Sequence, residues 1–141
     1  MNIAIAEQVI GACVKQSARI GKPVAAVVVD LEGRVVMARR ADGVRDLVLQ
    51  LATSKAYTAA IMERPTLLLE QWAHLTPDAL ARLSSLGPYP IMTGPGGFVI
   101  KRDGRLLGAF GVSGARGDED QAIGDAVLDE LGFETDFAAF D

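Results

Sequence analysis

Apolar residues recur at helical spacing through Ala6, Val9, Ile10, Cys13, Val14, Ser17 and Ile20, while Glu7, Lys15 and Arg19 fall largely on the other side. This predicts an amphipathic helix that Asn2 caps and Gly21 stops. The period then changes. Val24-Ala25-Ala26-Val27-Val28-Val29 is an unbroken apolar run, the mark of a strand covered on both faces, within residues 23–30. Asp30-Leu31-Glu32-Gly33 turns the chain into a returning strand over 34–40, with Val35 and Met37 on one side and Val36 and Ala38 on the other. Asp46 is placed to cap a helix reaching about Met62, one face of which carries Leu47, Leu51, Ser54, Thr58 and Ile61. Arg64-Pro65 breaks it.

The segment 64–94 reads as a cover or an oligomer contact rather than core sheet. It holds a short helix over 66–73, a helix started by Thr76-Pro77-Asp78 and ended by Gly87-Pro88, and a short strand at Tyr89-Pro90-Ile91-Met92. Phe98-Val99-Ile100 and the run from Leu106 to Val112 form a second hairpin about the Asp103-Gly104 turn. Asp118 is placed to cap the last helix, with Gln121 three positions on. Ala122, Ile123, Ala126, Val127, Leu128 and Leu131 supply its apolar side, Gly132 ends it, and a tail through Asp141 carries Phe133, Phe137 and Phe140. Helix, hairpin, helices, hairpin, helix is an α+β layout, a largely antiparallel sheet with helices packed on it, in a single domain spanning 1–141.

At 141 residues one core without disulfides is sufficient. A net charge of −4 and a pI near 5.0 argue against non-specific nucleic-acid binding, which needs a basic face, and against a polybasic membrane patch. No apolar run is long enough to span a bilayer, and the first residues do not read as a signal peptide. Cys13 is the one cysteine and lies in an apolar stripe, a small core side chain rather than a nucleophile. The expected location is cytoplasmic. Half of the residues are hydrophobic and the mean hydropathy is +0.24, so some apolar surface is available for a homo-oligomer, a dimer or higher.

Candidate chemistry gathers around two stretches. Lys55 lies among Ala52, Thr53, Ser54, Ala56, Ala59 and Ala60, small residues that let another group come close, and from there it can reach a ligand or a carboxylate. The glycine-rich stretch Gly94-Pro95-Gly96-Gly97 and the loop 113–117 bracket the second hairpin. That loop leads N–H groups towards a helix N-terminus, which favours an anion. The expected pocket lies between the Lys55 helix and the hairpin of 94–117, with a second subunit available to complete it.

Val28-Val29-Asp30-Leu31-Glu32-Gly33, Arg40-Ala41-Asp42-Gly43, Ala52-Thr53-Ser54-Lys55-Ala56-Tyr57-Thr58-Ala59, Gly108-Ala109-Phe110-Gly111-Val112-Ser113-Gly114 and Asp118-Glu119-Asp120-Gln121-Ala122 together resemble the GlcG/HbpS-like haem-binding family, which includes the C-terminal domain of PduO-type proteins. Gly96-Gly97 and Gly104 fit the same pattern, in order along the chain. The resemblance implies a profilin-like α-β-α layered domain, a central antiparallel sheet flanked by helices, and assembly into dimers or larger forms. It also implies a small ligand, haem or another tetrapyrrole. On that reading Arg40, Lys55 and Arg116 take carboxylates, Gly97, Ser113 and Gly114 line the ligand, and His74, the only histidine, is the axial metal ligand.

A second reading is a cofactor-free enzyme of isomerase, hydratase or decarboxylase type, acting on a small organic acid or ring-cleavage product. The Ser113-Gly114 loop would clamp an anion, Lys55 and Arg40 would bind a carboxylate, and Asp42, Asp118 or Asp120 would move a proton. Either ligand is a small, anionic molecule.

Overall fold

The computed structural model describes residues 1–140, so Asp141, the last residue of the expected tail, lies outside it. Helix α1 (Ile3–Ile20) starts where Asn2 Oδ1 accepts the Ile5 N–H at 2.8 Å and ends at Gly21 in the left-handed region. Strands β1 (Ala25–Val29) and β2 (Val35–Arg40) form the first hairpin. Helix α2 (Asp46–Met62) follows, then a 3-10 turn (Thr66–Leu69), α3 (Glu70–Leu75) and α4 (Pro77–Leu86). Strands β3 (Gly97–Arg102) and β4 (Arg105–Ser113) form the second hairpin, and α5 (Gly117–Leu131) closes the order.

The fold is α+β, as the pattern predicts. The sheet is antiparallel throughout, in the order β2-β1-β4-β3. All of β1 is buried, because helices cover both faces. On one face, α1 and α5 pack on Ala26, Val28, Phe98, Ile100, Phe110 and Val112, with the Phe98 and Phe110 rings stacked 4.9 Å apart. On the other, the alanines of α2 pack on Ala25, Val27, Val29, Val99 and Ala109.

Gly111 sets how close α2 comes. A Cβ built there would fall 2.2 Å from the Ala52 carbonyl oxygen and 2.8 Å from the Ala56 nitrogen, so only glycine lets the helix backbone rest on β4. The helix is seated over β1 and β4 and leaves the same face of the edge strand β2 largely bare.

Three local expectations are corrected. Arg45, not Asp46, occupies the N-cap position of α2, and Asp46 is the first helical residue. Arg116 occupies that position in α5, which places Asp118 inside the first turn. Residues 89–92 form no strand: Pro88 and Pro90 have no N–H to pair, and the Met92 N–H donates to Thr58 Oγ1 at 2.8 Å, tying the segment to α2. The segment 64–94 contributes no strand to the sheet, as expected, and its helices α3 and α4 bury no residue fully.

Gly111→Ala should cost about 3 kcal/mol, because the obstacle is backbone that cannot rotate away. Gly11→Ala, on an exposed side of α1 with nothing within 4 Å, should gain up to about 1 kcal/mol. Urea midpoints of the two variants measure both effects. Burial pushes the Cys13 thiol up to about 12, so a thiol reagent near neutral pH should leave the native protein unlabelled and modify it only once urea has unfolded it.

Candidate functional site

Lys55 is buried, and its ammonium is already held. Nζ donates to the Val112 carbonyl at 3.0 Å and lies 3.4 Å from Asp120 Oδ2, while Asp120 Oδ1 accepts the Ala115 N–H at 3.0 Å. One ion pair therefore ties α2 to β4 and to the start of α5. Loss of water is the leading influence on both groups. It pushes the Asp120 carboxyl above the ordinary range and the Lys55 ammonium below it, against the attraction each has for the other.

The anion clamp expected at the start of α5 is filled from within the chain. Asp120 takes the Ala115 N–H, and Glu119 Oε1 takes the Arg116 N–H at 3.1 Å. Asp118 is exposed and paired with Arg116, both of whose contacts to it measure 3.1 Å. Gly97 is buried where its N–H donates to Thr66 Oγ1 at 2.8 Å. Ser113 is buried as well, and Gly114 lies on Pro23 and Val48. Ser113 and Arg40 both stand opposite Ala25 in the register, on the same end of the sheet but with β1 between them. Asp42 is exposed in the turn beyond β2. His74 is exposed on the short α3 and lines none of the cavities described below.

A hollow of about 430 Å³ lies beside Pro95, Asp118 and Gln121 at the start of α5, and more enclosed space lies on the other side of α2. Between β2, α2 and the segment 88–92 runs a groove of about 620 Å³, walled by Val35, Ala38, Leu47, Leu51, Ser54 and Met92. It meets a second lobe of about 460 Å³ at Val35, Pro88 and Tyr89, and that lobe reaches Arg34, Tyr57 and Leu86. Strand alternation puts Arg40 on the groove side of β2, two residues beyond Ala38. The Tyr57 ring is held by backbone: a Cβ at Gly33 would fall 2.5 Å from the ring, and one at Gly87 would fall 1.9 Å from the hydroxyl oxygen. Tyr89 packs edge-on to it at 5.4 Å.

These groove residues are missing from the candidates the sequence supplies, apart from Arg40 on the groove side of β2. The available signal was α2 itself: alanines cover one side, Leu47 and Leu51 another, and a helix apolar on two sides needs two partners. Among the described residues no group of three or more His, Cys, Asp and Glu is placed to hold a metal ion, and no helix is long and apolar enough to cross a membrane.

The model of the family "Haem degrading protein HbpS-like" matches residues 1–129. The chain is 27% identical over 135 residues to an uncharacterised 15.0 kDa protein encoded between dhaT and dhaS in Citrobacter freundii, covering 92% of this chain and 90% of that one. It is 29% identical over 129 residues to the corrinoid adenosyltransferase PduO of the same organism, covering 91% of this chain but only 38% of the adenosyltransferase. The crystal structure of PduOC in complex with haem superposes with a TM-score of 0.81 at 26% identity, covering 96% of this chain and 97% of that one.

Lys55→Ala should destabilise the protein by about 3–5 kcal/mol, because it leaves the Asp120 carboxylate buried without its partner. Lys55→Met combined with Asp120→Leu should restore most of that loss. Chemical denaturation of the single and double variants measures the difference.

Proposed function

We propose that this chain, which belongs to the haem-degrading HbpS-like family, binds haem or a closely related tetrapyrrole in the groove between β2, α2 and the segment 88–92. The observation that carries this reading is the groove itself. It is long, walled by aliphatic and aromatic side chains, and of the volume that ligand sites occupy. A flat macrocycle needs apolar walls on its faces and cations at its carboxylate edge. Val35, Leu47, Leu51 and Tyr89 supply the first; Arg34, which lines the second lobe beside Glu32, and Arg40, on the groove side of β2, are the cations available for the second. The related PduOC domain, solved with haem, supports the choice of ligand.

Bound haem would supply an iron centre, and Met92, whose thioether is among the groups that ligate haem iron, lines the groove that would hold it. His74, the axial ligand expected from the sequence, does not line the groove. The reading also takes the protein as cytoplasmic and self-associating. A lone, buried thiol supports the first, and Leu75 and Leu86, 74% and 82% exposed, support the second.

Haemin titrated into the purified protein should give a saturable Soret shift at about one haem per chain. Leu47→Glu puts a charge on a half-exposed groove wall and should weaken that binding about tenfold or more. His74→Ala should leave it unchanged. Wild-type affinity in Leu47→Glu, or loss of the Soret shift in His74→Ala, would move the ligand out of the groove.

A further inference from the structure

Two hydroxyls on α2 face the groove with nothing to bond. Ser54 and Tyr57 are three residues apart and so share a side of the helix, and each is only 6% exposed. Neither hydroxyl has a hydrogen-bond partner among the described residues. Thr53, the residue before Ser54, differs: its Oγ1 donates back to the Leu49 carbonyl at 2.8 Å, the usual refuge of a hydroxyl inside a helix. Among the described residues no fully buried side-chain oxygen or nitrogen lacks a partner. The oxygens of Ser54 and Tyr57 must therefore touch accessible space, and the space beside them is the groove: Ser54 lines the larger lobe and Tyr57 the smaller.

Tyr57 is also fixed in place. Gly33 lies against its ring, Gly87 against its hydroxyl, and Tyr89 packs edge-on to it. Both glycines leave room that any side chain would take from the ring. The phenol is thereby held in one orientation before a ligand arrives, so little freedom is lost on binding. Arg34 lines the same lobe, its guanidinium 3.4 Å from the exposed Glu32 carboxylate, and its remaining N–H groups bring donors to the lobe.

We propose that Ser54 and Tyr57 form a polar subsite that recognises the carboxylate edge of the ligand, with Arg34 as a further donor. This rests on the reading of the groove as a tetrapyrrole site and adds its polarity: the apolar body lies along Val35, Leu47 and Leu51, and the carboxylate edge points to the Tyr57 lobe. A purely apolar ligand would strip water from two hydroxyls and give them no partner. Carboxylates on one edge of the ligand would accept from Ser54 in the larger lobe and from Tyr57 in the smaller, and charge makes each bond stronger than a neutral one.

The test compares haemin with haemin dimethyl ester, in which the carboxylates are masked, on wild type, Ser54→Ala, Tyr57→Phe and the double variant. Each single variant should weaken haemin about three- to tenfold, and the double variant more, while the ester changes by less than about twofold. Tyr57→Phe removes one oxygen and keeps the ring, and thermal unfolding of each unliganded variant checks that the fold is retained. Saturable haemin binding that the variants leave intact, or equal losses on haemin and its ester, would overturn the subsite while leaving the groove reading in place. Failure of wild type to bind either compound saturably would overturn both.

Discussion

How near α2 can come to the sheet governs the rest of the molecule. Gly111 removes the side chain that would hold the helix off β4, and the alanines of α2 complete the fit. At that distance Lys55 reaches past the helix flank to the Val112 carbonyl and to Asp120. At that distance also, the outer side of α2 stands back from β2, and the chain must supply another wall. Pro88, Tyr89, Pro90 and Met92 provide it. The tight contact on one side of the helix and the open groove on the other are two results of one placement.

The buried ion pair sets the division of labour. Lys55 and Asp120 look like catalytic groups when listed by residue type, yet each satisfies the other and the adjoining backbone. Desolvation opposes both charges, so the pair is weak as a source of stability but severe when half of it is removed. The groove has the opposite character. Its walls are mainly apolar, Arg34 and Arg40 are the cations available to it, and two of its hydroxyls are left without partners in the chain. The groove leaves apolar walls and hydroxyls open, whereas the ion pair is already complete.

The layers of the fold were legible because each element carries its own period. The run from Val24 to Val29 announced a strand covered on both sides, and the Asp103-Gly104 turn marked the second hairpin. The site was less legible for a physical reason. The partner of Lys55 lies 65 positions away, beyond the reach of local pattern, and only the packed fold reveals that its carboxylate closes the space. At the start of α5, Asp118, Glu119 and Asp120 are equivalent by composition. Backbone direction alone decides that the second and third bond the preceding N–H groups and the first faces solvent. The groove escaped for a related reason: β2, α2 and the segment 88–92 are apolar pieces from three parts of the chain, and nothing in any one of them declares a gap.

The position of β2 at the end of the sheet has a further consequence. One side of its backbone has no neighbouring strand, and an uncovered row of amide and carbonyl groups is a template on which another extended chain can add. Arg34, Arg39 and Arg40 line that border, all exposed. Their mutual repulsion across two such borders discourages strand-to-strand addition between copies. These positive charges thus guard the protein against edge-to-edge aggregation, and neutral residues in their place would leave that border open to addition.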